Sequence, residues 1–63
     1  MKVKVELCWA GGAFFTFRLT LRDGRRFTIA GGAAGHWTRE TAAAARRLLA
    51  METGAARFRF EHV

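Results

Sequence analysis

The sequence predicts an α+β fold: a four-stranded, mainly antiparallel sheet (βββαβ, strand order 3-2-1-4) with one helix packed on one face. Three observations carry this reading. Large apolar residues fall on odd positions from Val3 to Trp9 and from Phe15 to Ile29, the period of half-buried strands. Residues 38–54 are rich in alanine and bounded by helix punctuation. Residues 55–63 return to alternation, with Phe58 and Phe60 on one side and Arg57, Arg59 and Glu61 on the other.

The first strand covers residues 2–9. Val3, Val5, Leu7 and Trp9 face inward, and Lys2, Lys4, Glu6 and Cys8 face outward. Ala10-Gly11-Gly12 forms a turn. Pairing Trp9 with Ala13 then sets Leu7 opposite Phe15, Val5 opposite Phe17 and Val3 opposite Leu19. The second turn is Arg22-Asp23-Gly24. A two-residue loop here would put Phe27 and Ile29 on the wrong face. A three-residue loop with Gly24 left-handed pairs Leu21 with Arg25, Leu19 with Phe27 and Phe17 with Ile29, and keeps every large apolar residue on one side.

Residues 31–35 form a glycine-rich connection. Thr38 is placed to cap a helix, Glu40 complements its dipole and Gly54 stops it. Thr41, Ala44, Ala45, Leu48, Leu49 and Met51 share one broad side. The alanine content lets the helix approach closely a sheet carrying Trp9, Phe15, Phe17, Phe27 and Trp37. The last strand, following a helical crossover, should run parallel to the first or the third strand, and the first is preferred, giving the order 3-2-1-4.

The chain has 63 residues, enough for a single compact domain, residues 1–63, with a small core. Cys8 is the only cysteine, so a disulfide framework is excluded and a reducing cytoplasm is expected. No apolar run reaches the length of a membrane span, so no membrane partner is expected. The net charge of +6, carried mostly by arginine, favours polyanionic partners: nucleic acid or an acidic protein surface.

The candidate binding face is the outer face of the sheet. Lys2, Lys4, Arg18 and Arg26 lie there, joined by Arg57 and Arg59 if the last strand pairs with the first. Phe14, beside Cys8, supplies one exposed aromatic. In the register above, Lys4 lies opposite Arg18 and Arg18 opposite Thr28, while Lys2, Thr20 and Arg26 form the next row. The plain alternative is a solvated face whose charges maintain solubility. Thr16 and Arg18 stand where an RNA-recognition sheet would carry aromatic rings.

Other chemistry finds little support. The glycine run before the helix matches neither the dinucleotide fingerprint nor the P-loop, because His36-Trp37 follow it. Cys8, His36 and His62 do not make a ligand pattern, and the few carboxylates lie on an open basic face. No catalytic residue, metal or cofactor is expected, and the protein is read as a non-enzyme.

Three meander strands, a helix and a returning strand resemble a truncated ribonuclease-H-like unit of small antitoxins. In size, charge and architecture the chain also resembles small phage and mobile-element inhibitor proteins of the anti-CRISPR type. That resemblance implies a protein of the host-cell cytoplasm that sterically occupies a site on a nucleic-acid-handling complex. At +6 the chain is no acidic DNA mimic, so its partner would be an acidic protein surface of such a complex, or nucleic acid directly. Arginines near the sheet edges discourage edge-to-edge growth, so a monomer or weak dimer is expected.

Overall fold

A computed structural model describes residues 1–63, apart from the side chain of Ala33. The elements are β1 (Lys2–Gly11), β2 (Phe14–Leu21), β3 (Arg26–Ala30), a short 3-10 turn (Ala33–Gly35), α1 (Arg39–Thr53) and β4 (Arg59–His62). The sheet order is β3-β2-β1-β4, with β1–β2 and β2–β3 antiparallel and β1–β4 parallel. The expected order and mixed topology are those observed.

The β2–β3 turn follows the bulged geometry read from the sequence. The Gly24 amide donates to the Leu21 carbonyl at 3.0 Å, and the Leu21 amide to the Arg25 carbonyl at 2.9 Å. Gly24 sits at φ 94°, which glycine reaches without a Cβ clash. Leu19 pairs with Phe27 and Phe17 with Ile29.

The β1–β2 register differs from the expected one by two residues. Trp9 pairs with Phe15, Leu7 with Phe17, Val5 with Leu19 and Val3 with Leu21. Gly11 (φ 120°) and Gly12 (φ 57°) turn the chain so tightly that β2 begins directly opposite Gly11, and a bulge lies between Trp9 and Gly11. A two-residue shift preserves which side chains face inward, so the core survives the change while the cross-strand neighbours do not.

The helix begins and ends as its punctuation dictates. Thr38 Oγ1 accepts from the Thr41 amide at 3.1 Å, and the Gly54 amide donates to the Ala50 carbonyl from a left-handed C-cap. Its buried residues are Thr41, Ala42, Ala45 and Leu49. They cover Val3, Val5, Phe17, Leu19 and Leu21, with Phe27, Ile29, Trp37, Phe58 and Phe60 packed around them. Trp37 meets Phe17 edge-on at 5.0 Å and lies 5.2 Å from Phe60, a geometry that adds to simple burial.

Three residues expected to face the core are exposed, Leu7 among them at 51%. Met51 is 85% exposed, because at 3.6 residues per turn it points away from the buried Thr41–Ala42–Ala45–Leu49 stripe. Trp9 is 70% exposed, its indole N–H donating to the Gly12 carbonyl. β4 is also shorter than the alternation predicted, starting at Arg59 rather than near Ala55. Among the described residues no helix is long and apolar enough to cross a membrane.

Candidate functional site

The outer face carries the even-numbered residues of β1, β2 and β3 with Arg59 and Glu61 of β4. The observed pairing redraws its rows. Arg26, Thr20, Lys4 and Glu61 lie side by side across all four strands, and Thr28, Arg18 and Glu6 form the next row. Lys2 faces Arg59. The expected Lys4–Arg18 pair is therefore absent: Lys4 faces Thr20 and Arg18 faces Glu6. Lys2 likewise gives way to Lys4 in the Thr20–Arg26 row, and Phe14 lies opposite Gly11 while Cys8 faces Thr16. These corrections follow from the two-residue register change.

The new neighbours remove the like-charge contacts at Arg18 and sharpen the distribution of charge. Arg18 Nη2 donates to Cys8 Sγ at 3.4 Å, and its guanidinium is held above its ordinary pKa by that bond, then by the sulfur's and Glu6's charge. Lys2 pairs with Glu61 at 3.1 Å, and Arg25 with Asp23 at 2.7 Å. Exposed pairs of this kind contribute little to stability, because solvent screens them. Among the described residues Lys4, Arg22, Arg26, Arg57 and Arg59 make no ion pair.

These cations gather at one end of the molecule. β1 starts there, β2 ends there, and β3 and β4 both start there, so the strand termini bring Lys2, Lys4, Arg22, Arg26, Arg57 and Arg59 together. The amino terminus joins them, its ammonium donating to the Arg57 carbonyl at 2.9 Å. On the outer face Lys2, Lys4, Thr20, Leu21 and Arg22 line an open depression of about 380 Å³. Arg22 is a member that the strand pattern alone did not mark, because it belongs to the turn. Arg18 lies on the same face beyond this depression, toward the middle of the sheet.

The opposite end is nearly free of charge. Residues 7–17 contain no Asp, Glu, Lys or Arg, and neither do residues 27–38. The sheet places these two stretches together through the pairs Phe17–Ile29 and Thr16–Ala30. Leu7 (51% exposed), Trp9 (70%) and Phe14 (76%) are bare at this end. Phe14 is thus exposed as expected, but it stands apart from the basic cluster. The glycine-rich connection serves packing here: a Cβ on Gly31 would meet the Phe15 carbonyl oxygen at 2.7 Å, and one on Gly35 would meet Leu7 Cδ1 at 2.9 Å.

Among the described residues no three His, Cys, Asp or Glu side chains are grouped to hold a metal. No protein-family model matches the chain, and neither curated proteins nor solved structures give a significant match.

Proposed function

We propose that this chain is a non-enzymatic binding protein, an inhibitor of the anti-CRISPR kind, that blocks a nucleic-acid-handling complex in the host cytoplasm by occupying an acidic protein surface. The observation that carries the reading is the cation cluster around the Lys2–Lys4–Thr20–Arg22 depression, with Arg26, Arg57 and Arg59 at its margins. Arginines free of intramolecular partners are available for paired hydrogen bonds to carboxylates.

Direct DNA or RNA binding through the same face is the second reading. It is supported by the charge but less by the geometry. Glu6 and Glu61 interrupt the cationic rows, and the one aromatic on this face, Phe14, is at the far end of the sheet. Bases stack best where rings and cations alternate.

The two readings separate in one experiment. The tagged protein is used to capture partners from a host extract, with and without nuclease, across a salt series. A protein partner retained after nuclease supports occupancy of a protein surface. Capture that vanishes with nuclease, and falls by about one log unit per log unit of salt for each phosphate neutralised, supports nucleic-acid binding. The Lys4→Gln/Arg26→Gln variant should lose either partner.

A further inference from the structure

Phe14 is 76% exposed, and the fold makes it so. Its cross-strand neighbour is Gly11, which has no side chain. β3 ends at Ala30, opposite Thr16, so no β3 residue stands beside the ring. The nearest charged residue along β2 is Arg18, whose guanidinium turns to the Cys8 sulfur at 3.4 Å. By strand alternation Phe14 shares the outer face with Thr16, Arg18 and Thr20, and Thr20 lines the basic depression. Six steps of strand separate Phe14 from Thr20, about 20 Å. A single bare ring is ordinary on a protein surface. This one stands on the same face as the cations, at a distance that the strand holds fixed.

We infer that Phe14 is the apolar anchor of the same interface, and that the partner is a protein surface carrying an apolar pocket about 20 Å from its acidic patch. This rests on the reading of the basic end as a protein-binding site and adds a second contact to it. Two arguments carry it. The first is area. A standard interface draws about 20–30 residues from each partner. The basic end presents far fewer, and the contact approaches that size only if it continues over Arg18 and Thr16 to Phe14. The second is energy. Exposed charges are screened and hold a partner weakly, although they speed and orient its approach. A ring that leaves water for a fitted pocket supplies the larger share of binding energy. The two ends of the outer face then divide the work. The cations govern how fast the partner arrives, and Phe14 governs how long it stays. Trp9 takes no part, because it points to the inner side of the sheet at the same end.

Binding kinetics test this division. The probe is the nuclease-resistant protein captured from the host extract, immobilised and exposed to each variant across a salt series. Phe14→Thr, which keeps strand propensity, is expected to speed dissociation by about tenfold or more and to change association by less than about twofold. Phe14→Leu should restore most of the residence time. Lys4→Gln/Arg26→Gln should slow association by about tenfold and flatten its salt dependence. Trp9→Ser should change neither rate by more than about twofold. Each variant is checked for an unchanged melting temperature. A Phe14→Thr protein that dissociates like the wild type overturns the inference. So does a Trp9→Ser protein that dissociates as fast as Phe14→Thr. If the Lys4/Arg26 pair loses binding and Phe14→Thr does not, the basic site stands and the anchor falls. Capture that vanishes with nuclease removes the protein-surface reading and the anchor together.

Discussion

The two ends of the sheet are built from the same strands and end up with opposite surfaces. At one end β1 begins with Lys2 and Lys4, and its partners contribute Arg22, Arg26, Arg57 and Arg59. At the other end β1 carries Leu7 and Trp9, β2 carries Phe14, and no formal charge appears from residue 7 to residue 17. Inner and outer faces obey the same alternation throughout, so alternation does not explain the difference. Length does. The ten residues of β1 reach about 33 Å, while the fifteen of α1 reach about 22 Å. A helix that crosses the sheet cannot cover such a strand from end to end. An inward-facing side chain is therefore core near Val3 and Val5 and surface near Trp9.

The sharpest way to break the contrast is to compare aromatic residues across the boundary. Phe17 is 3% exposed and touches Trp37, so Phe17→Ala should cost about 3–5 kcal/mol and leave much of a domain this small unfolded, read by chemical denaturation. Next comes the glycine connection that closes over the hairpin. Gly31→Ala drives a methyl group into the Phe15 carbonyl and stretches the 2.8 Å bond from the Gly31 amide, so a loss of about 1–3 kcal/mol is expected in the same assay. Trp9→Ser, by contrast, should shift stability by no more than about 0.5 kcal/mol, because its ring is already in water. Equal losses for Phe17→Ala and Trp9→Ser would erase the boundary.

The smallest effect belongs to the basic end. Asp23 is held below the usual carboxylate range, first by the Arg25 amide at 3.0 Å, against the opposing effect of burial, with lesser contributions from the Arg25 guanidinium. A depressed folded-state pKa contributes stability above the ordinary carboxylate value, and that contribution is lost as pH falls through the lowered one. Wild type should therefore lose slightly more stability than Asp23→Asn when melted at successively lower pH below about 4. Identical acid profiles would show that the turn does not depend on this carboxylate.

Much of the fold was legible in the residues. The Asp23-Gly24 turn admits one loop length that keeps Phe27 and Ile29 inside, and Thr38 and Gly54 bracket the helix unambiguously. The β1–β2 register was not, because sliding by two leaves every side chain on its own face; Ala10, Gly11 and Gly12 permit more than one turn. The site inherited that ambiguity. Lys4, Arg18 and Arg26 are on the outer face in either register, but only the observed one puts Glu6 beside Arg18. Exposure of Trp9 escaped for a different reason: periodicity reports which side a residue takes, and says nothing about how far a helix on that side extends.

The central claim is that binding runs through the basic end of the outer face. It is tested most directly by measuring the affinity of the captured partner for three proteins: wild type, Lys4→Gln/Arg26→Gln on the sheet, and Arg39→Gln/Arg47→Gln on the helix. Arg46 is left alone because its guanidinium lies 5.4 Å from the centre of the Phe60 ring and contributes to packing. The account predicts that the sheet pair weakens binding by about tenfold or more while the helix pair changes it by less than about twofold, with all three equally folded. Loss of binding in the helix pair with the sheet pair unaffected would contradict it.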